Sequence, residues 1–309
     1  MIERGCPIPS LSGISIVHPA ATGPINSALR RSGSADGSPV RPRLINELEA
    51  ALEEPGQLRL VYQPRLALQT GRVVAVEALL RWQHPELGAV APIDFIPLAE
   101  ADPLIGRLTD WVLDHAMGFA VTLAAAGQPI RVSANVSPVN LVIGYLVGRL
   151  VELLGHHELP PSLLELEFTE GTLIGDDVRT RAQLKQIRQI GIGVAIDDFG
   201  AGYSNLGYLR QIPADYIKID RALIQPVMLD PDSATIARWL IGLSHELGLR
   251  VVAEGLETAA MQAALTEMGC DEGQGYHIAR PMESADLLDW LNEWRDGSER
   301  GVGSAPRPR

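Results

Sequence analysis

Short runs of Val, Ile and Leu recur along the chain and alternate with longer stretches of helical periodicity. Several of these runs, such as Val194-Ala195-Ile196, are apolar on both faces, which is typical of parallel strands covered on both sides. The pattern predicts an α/β fold with eight strands. The predicted strands are Leu58–Gln63, Val73–Leu79, Ile130–Val136, Leu164–Phe168, Gly193–Asp197, Tyr216–Ile219, Arg250–Ala253 and Gly275–Ala279.

Three of the helical stretches each end before a glycine that suits a helix C-terminus. They are Arg179–Ile190 before Gly191, Ser233–Leu247 before Gly248 and Thr258–Met268 before Gly269. Eight strand–helix repeats within about 250 residues predict a TIM-type (β/α)8 barrel. Only the turn around Ala67–Gly71 separates the first two strands, too little for a crossover helix, so the first strand should be antiparallel. A doubly wound sheet stays open as an alternative, although no Gly-rich phosphate loop follows the first strand.

The two ends of the chain lack this alternation. Residues 1–42 are rich in Pro, Gly, Ser and Arg, and residues 297–309 are similar, so both are expected to be flexible tails around a domain at 43–296. The start, Met1–Arg4, does not resemble a signal peptide, and no apolar run approaches the ~20 residues that span a bilayer. The two cysteines, Cys6 and Cys270, form no zinc motif or disulfide framework. A cytoplasmic protein without membrane contact is expected.

The net charge changes the picture of possible partners. Lys and Arg number 26 against 38 Asp and Glu, which gives −12. An acidic surface argues against long nucleic acids, which require basic patches. A small anionic substrate stays possible if metal ions screen the site.

Polar residues stand where the predicted strands end, and in a barrel these ends surround one mouth. They are Glu77, Asn135, Glu167, Asp197, Asp198, Lys218, Glu254 and Gln274. Five carboxylates in one mouth repel one another, and divalent cations relieve the repulsion. A set of oxygen ligands without Cys or His suits Mg²⁺ or Mn²⁺ rather than zinc.

Asp197 and Asp198 are adjacent, so within a regular strand they would face opposite sides. Both reach one site only where the strand ends, and Phe199-Gly200-Ala201-Gly202 is expected to supply that turn. Such a carboxylate pair could bridge two metals ~3.5–4 Å apart, an arrangement that activates water against a phosphodiester.

Taken singly, each of these polar residues is more often a strand-end ion-pair partner or a turn residue. Their occurrence at seven strand ends in register favours a shared site. The histidines at 84, 115, 156, 157 and 245 are interpreted as surface or structural, because no metal-ligand spacing links them. His277 is placed in the last strand, and the tryptophans at 111, 239, 290 and 294 are interpreted as packing residues.

These residues also form a recognisable series. In order they are Tyr62-Gln63-Pro64, Glu77-Ala78-Leu79-Leu80-Arg81-Trp82, Asn135-Val136-Ser137, Glu167-Phe168-Thr169-Glu170, Asp197-Asp198-Phe199-Gly200, Lys218-Ile219-Asp220, Ala253-Glu254-Gly255-Leu256 and Gln274-Gly275-Tyr276, with Pro281 last. Over roughly residues 45 to 295 the chain resembles the EAL-domain family. Asn205, Ala101-Asp102-Pro103, Glu272 and His277 depart from the family's usual residues.

The resemblance implies a barrel that hydrolyses one phosphodiester bond of cyclic di-GMP to linear pGpG. By matching positions, one metal would be held by Glu77, Asn135, Glu167 and Asp197. The second metal and the attacking water would be held by Asp197, Asp198 and Glu254, and Lys218 would orient the water. Ca²⁺ is expected to inhibit.

The resemblance also implies substrate contacts and an assembly. The implied substrate-binding residues are Gln63, Leu79, Arg81, Gln274, Tyr276 and Pro281, with Gln274 beside a water. Glu170 matches a residue that anchors the loop after Asp198 and couples it to a homodimer interface. Two other functions stay open: a non-catalytic cyclic di-GMP receptor that acts through a partner, and a scaffold without nucleotide.

Overall fold

The computed structural model describes residues 40–170, 178–201 and 209–299. The strands are β1 (Leu58–Ala67), β2 (Val73–His84), β3 (Gly88–Val90), β4 (Arg131–Asn135), β5 (Leu164–Thr169), β6 (Gly193–Phe199), β7 (Tyr216–Ile219), β8 (Arg250–Ala253) and β9 (Glu272–Gln274). The described α-helices are α1 (Val40–Glu53), α2 (Pro92–Glu100), α3 (Leu104–Ala125), α4 (Val139–Ile143), α5 (Leu146–His156), α6 (Val178–Ile190), α7 (Arg221–Ile224), α8 (Pro231–Glu246), α9 (Ala259–Glu267) and α10 (Ser284–Glu299). Short 3₁₀ turns lie at Pro161–Leu163 and Gln225–Met228.

Eight of these strands close into a barrel. The order runs β1-β9-β8-β7-β6-β5-β4-β2, and β1 pairs with β2 to complete the circle, while β3 extends β2 outside it. Strand β1 is antiparallel to both of its neighbours, and the other barrel neighbours pair in parallel. The predicted TIM-type barrel with an antiparallel first strand is therefore confirmed, and the doubly wound alternative is wrong.

The last predicted strand, Gly275–Ala279, is wrong. The eighth barrel strand is Glu272–Gln274, and the following residues form a turn in which Ile278 and Ala279 both donate to the carbonyl of Gly275. A Cβ atom at Gly275 would collide with the backbone of Leu256, so close packing of two backbones fixes this turn. His277 consequently lies in the turn and not in a strand.

The core has two main parts and a small third one formed by Ala195, Tyr216 and Val252. The larger part lies inside and around the barrel, and a smaller one joins α1, α2 and the start of α3 to β2 and β3. In the smaller part the rings of Trp82 and Phe95 meet edge to face, 5.4 Å apart, and each buried side chain of this size stabilises the fold by about 1.5–3 kcal/mol. This packing holds the long β1–β2 hairpin in place. Trp239, by contrast, is 56% exposed, so its interpretation as a packing residue is wrong.

The ends of the predicted domain fall close to the limits of the described residues. Helix α1 begins at Val40 and α10 ends at Glu299. Residues 1–39 and 300–309 lie outside the described ranges, so the flexible tails stay a prediction. None of the described helices combines the length and the apolar character required to cross a bilayer.

Candidate active site

Lys218 lies at the centre of the mouth formed by the carboxyl ends of the strands. Its side chain is fully buried. Its Nζ lies 2.6 Å from Glu167 Oε2, 2.9 Å from Asp197 Oδ1 and 2.8 Å from Glu254 Oε1. Glu77 Oε2 is 3.7 Å away. One ammonium group therefore meets carboxylates from four different strands or strand ends.

The charges in this mouth do not balance. Burial alone would lower the pKa of Lys218, but the surrounding carboxylates outweigh it and hold that pKa well above its ordinary value. Burial raises the pKa of Glu254 to about 8, with Asp197 and Glu77 adding to the effect and Lys218 opposing it. Burial likewise raises the pKa of Glu167 well above its ordinary range. The carboxylates thus remain under-compensated by their single lysine.

Asp197 and Asp198 reach the same site through a bulge in β6. The pairing with β7 shifts register between Ile196 and Phe199, and Asp198 adopts a left-handed φ of 55°. A bulge re-aims a side chain that would otherwise point away, and aspartate tolerates this conformation better than most residues. The chain turns directly after this bulge, where the N–H of Ala201 donates to the carbonyl of Asp198, and Gly202, the last residue of the expected turn, lies outside the described residues.

Two groups of carboxylates share Asp197. One oxygen each of Glu77, Glu167 and Asp197 lies within 4.8 Å of the others, and the same holds for Asp197, Asp198 and Glu254. Glu167 Oε1 is buried and accepts no hydrogen bond from the described residues, so it is available as a ligand. Oxygen donors converging on two adjoining points fit a pair of Mg²⁺ or Mn²⁺ ions.

Two side-chain amides orient Glu77, and a third amide, that of Gln63, holds one of them. Asn135 Nδ2 donates to Glu77 Oε1 over 2.8 Å, and Gln274 Nε2 donates to Glu77 Oε2 over 2.6 Å. Gln274 Nε2 also lies 3.1 Å from Gln63 Oε1, and Gln63 Nε2 donates to the carbonyl of Ala279. Gln63 and Gln274 are expected to contact substrate or its water, and in this structure Gln274 holds Glu77 while Gln63 holds Gln274.

The remaining predicted substrate residues lie at the rim. Arg81 donates to the carbonyl of Leu80, and burial lowers the pKa of Arg81, with the charge of Glu77 opposing. Tyr276 is 47% exposed, and the guanidinium carbon of Arg280 lies over its ring, 4.3 Å from the ring centroid. Leu79 and Pro281 are half-buried. Arg280 was not anticipated from the sequence, although it directly precedes Pro281.

Glu170 contacts the segment that follows the aspartate pair. Its Oε2 accepts a hydrogen bond from the backbone N–H of Gly200 over 3.2 Å. Gly200 has a φ of 95°, and a Cβ there would collide with Leu223. Residues 202–208, which include the departure at Asn205, lie outside the described ranges.

A second charged cluster lies directly below the mouth and was missed by the sequence analysis. Arg65 is 1% exposed and contacts Glu165 and Glu272, each at 2.9 Å. Arg65 Nη1 also lies 3.8 Å from Glu167 Oε1, so the two clusters adjoin. The only sequence signal was the spacing of Glu165 two positions before Glu167, which places both on the same face of β5.

Comparison with known proteins agrees with this architecture. Residues 45–281 match the EAL domain. The chain is 44% identical over 248 residues to cyclic di-GMP phosphodiesterase PA2567 of Pseudomonas aeruginosa, covering 80% of this chain and 42% of that protein. It is 36% identical over 237 residues to cyclic di-GMP phosphodiesterase RocR of the same organism, covering 77% of this chain and 60% of that protein.

Solved structures give the same result. The PaMucR phosphodiesterase in complex with c-di-GMP matches with a TM-score of 0.74 at 40% identity, covering 79% of this chain and 99% of that chain. The chain spans less than two thirds of the length of PA2567 and RocR, so the likeness concerns one domain of longer proteins. Since the match covers most of the present sequence, the chain belongs to the EAL domain family.

Proposed function

We propose that the chain hydrolyses one phosphodiester bond of cyclic di-GMP to linear pGpG with the help of two divalent cations, Mg²⁺ or Mn²⁺. The observation that carries this proposal is the pair of carboxylate groups that share Asp197 around Lys218. Two relatives named as cyclic di-GMP phosphodiesterases support the substrate.

The residues divide between the two cations through Asp197. Glu77, Glu167 and Asn135 would complete one ligand set, and Asp198 and Glu254 the other. Such ions polarise a phosphate oxygen and lower the pKa of a coordinated water. The amides of Gln63 and Gln274 keep Glu77 in one orientation, which preserves the geometry of the set.

In this proposal Glu254 acts on the attacking water and Lys218 stabilises developing negative charge. Glu254 Oε1 lies 2.8 Å from Lys218 Nζ, at the mouth end of β8. Its carboxylate can position the attacking water or accept its proton. The ammonium of Lys218 stabilises negative charge that develops on the phosphate. Arg81 would bind a phosphate, and Tyr276 with Pro281 would line the guanine pocket.

Further parts of the proposal concern regulation and setting. Ca²⁺ should permit binding but inhibit turnover, because its longer and looser coordination misplaces the water. The enzyme would act in the cytoplasm as a homodimer, with Glu170 coupling the interface to the segment after Asp198. Residues 43–296 would form the catalytic unit between flexible tails. Sedimentation at assay concentration tests the dimer.

Replacement of Glu254 by Gln tests the chemistry. Glu254→Gln keeps the size but loses the charge, so turnover to pGpG, measured by chromatography with Mg²⁺, should fall by roughly 10²–10⁴-fold. Binding of cyclic di-GMP, measured by calorimetry in Ca²⁺, should change far less. Glu267→Gln, at the exposed end of α9, is the matched control and should retain full activity.

The competing function is a receptor that binds the same nucleotide without cleaving it. Wild-type protein that binds cyclic di-GMP in Mg²⁺ but releases no pGpG would establish the receptor and overturn the proposal. If Glu254→Gln were as active as wild type, the chain would still be an enzyme, but the role proposed for Glu254 would be wrong.

A further inference from the structure

Three potential metal ligands meet on the outer helical layer, away from the barrel mouth. Asp114 belongs to α3, His156 is the last residue of α5 and His157 follows it as the helix cap. One ligand atom from each lies within 4.8 Å of the other two. The sequence spacing between α3 and α5 gave no hint of this, because only the packing of the two helices brings the residues together.

The three side chains are held but accessible. His157 Nε2 lies 2.8 Å from Asp114 Oδ1, and the His157 ring rests against Gly118, whose missing side chain leaves room for it. The His156 ring stands at 5.0 Å from that of His157, nearly perpendicular to it. His156 is exposed, and within the described part of the chain its ring contacts that of His157 but forms no hydrogen bond.

The electrostatic surroundings favour a cation. Asp114 and His156 border an open cleft of about 430 Å³ that is also lined by Asp110 and Glu152. The neighbouring Arg149 forms ion pairs with Asp110 and Glu152, each at 3.2 Å, and its charge acts on Asp114 only from a longer distance. Asp110 Oδ1 is buried and accepts no hydrogen bond within the described part of the chain. The C-terminal end of α5 adds the partial negative charge of its free carbonyl groups.

The donor set selects the type of metal. Two imidazoles and one carboxylate suit Zn²⁺ and similar borderline ions, whereas Mg²⁺ prefers oxygen ligands. Ligand atoms around a tetrahedral Zn²⁺, each about 2.0–2.1 Å from the metal, stand about 3.3 Å apart. Partly exposed side chains can close from 4.8 Å to that separation by small rotamer changes.

We propose that Asp114, His156 and His157 form a zinc-type cation site that joins α5 to α3 and keeps one coordination position for water. This site is independent of the hydrolytic centre: its nitrogen ligands prefer a different metal. Binding of the ion to the folded chain alone stabilises it by mass action.

The test titrates Zn²⁺ into the full chain in excess Mg²⁺, so that the carboxylate mouth is already supplied with its preferred ion. Affinity is measured by competition with a chromophoric chelator, and Co²⁺ absorption reports tetrahedral nitrogen ligation directly. His156→Ala is the main variant because the ring is exposed and forms no hydrogen bond with the described residues, so its removal should leave the fold intact. His115→Ala, an exposed histidine next to Asp114 in sequence, is the matched control.

We expect His156→Ala and His157→Ala to weaken Zn²⁺ binding at least about tenfold and to lose the Co²⁺ band, with His115→Ala unchanged. Zinc should raise the melting temperature of wild type but not of His156→Ala. Unchanged affinity in His156→Ala would overturn the site. Equal, small losses in all three variants, including His115→Ala, would show an adventitious ion only and would overturn it as well.

Discussion

Two buried clusters of charge occupy the same barrel, one above the other, and they are built differently. In the mouth, five carboxylates share one ammonium group, that of Lys218, which contacts four of them. In the layer below, Arg65 and Arg131 face Glu165 and Glu272, two positive charges against two negative. The upper cluster has a surplus of negative charge, and the lower one is neutral.

The lower cluster pairs each guanidinium with carboxylates of opposite charge. Arg131 Nη2 lies 2.9 Å from Glu272, and the Arg131 guanidinium stands over the ring of Tyr216 at 4.5 Å. Both glutamates are fully buried. A neutral arrangement of this kind has a structural role. A buried surplus of negative charge, by contrast, raises carboxylate pKa values and favours the binding of cations. The difference shows which of two buried ionic clusters is the reactive one.

The largest expected effect comes from unbalancing the lower layer. Arg65→Met removes the cation between Glu165 and Glu272 and leaves buried carboxylates uncompensated. The free energy of unfolding, measured by urea denaturation, should fall by about 3–5 kcal/mol. Arg250→Met is the control: Arg250 is half exposed and lies 3.4 Å from Glu272, so its loss should cost about 0–1 kcal/mol.

Compensating replacements sharpen this prediction. Arg65→Met combined with Glu165→Gln and Glu272→Gln also removes the uncompensated negative charges. The triple variant should therefore recover a large part of the lost free energy of unfolding. If Arg65→Met alone were as stable as wild type, the lower layer would not be a balanced structural unit, and the contrast with the mouth would fail.

The mouth should respond to metal where the lower layer does not. Mg²⁺ or Mn²⁺ at 100 times its dissociation constant should stabilise the wild type by about 2.7 kcal/mol. Asp197→Asn combined with Asp198→Asn should abolish this gain, because both ligand sets lose members. The melting temperature with and without metal measures it.

A matched pair controls for net charge in that experiment. Asp286→Asn with Asp289→Asn changes the charge equally on the exposed face of α10 and should keep the full metal-induced shift. A metal-induced shift that survives in the Asp197 and Asp198 double variant would place the metal elsewhere.

The sequence was sufficient for the barrel, because apolar runs separated by helices admit few closed arrangements. It failed where long-range pairing overrides local preference. Glu272–Gln274 has weak strand propensity, yet β1 and β8 make it a barrel strand, while the apolar Tyr276–Ala279 forms a turn. The bulge at Asp198 is likewise set by the pairing of β6 with β7.

For the site, the sequence brought the strand-end residues to one mouth because parallel strands share their direction. It did not reveal which inward residues meet across the barrel, since that depends on the stagger between strands. Arg65 therefore passed unnoticed among apolar neighbours, and the meeting of Asp114 with His157 depended on helix packing.

The accessibility of Cys270 reports on the lower layer. Cys270 Sγ donates to the carbonyl of Glu272 over 3.3 Å, and burial raises the pKa of the thiol to about 12. The folded chain therefore keeps this proton between the unfolded thiol pKa, about 8.5, and about 12, while the unfolded chain loses it. The stabilising contribution is complete below that window and declines as pH rises through it.

Below pH 8 a thiol reagent should reach Cys270 only when the layer opens. In a Cys6→Ser background, native labelling should be slow, and Arg65→Met should accelerate it roughly 100-fold or more, since each 1.4 kcal/mol lost raises the open population tenfold. Asp198→Asn, which alters the mouth alone, should leave the metal-free labelling rate within a few-fold of wild type. Equal acceleration by both variants would mean that the two clusters open together. The two clusters would then differ in their chemistry but not in their contribution to stability.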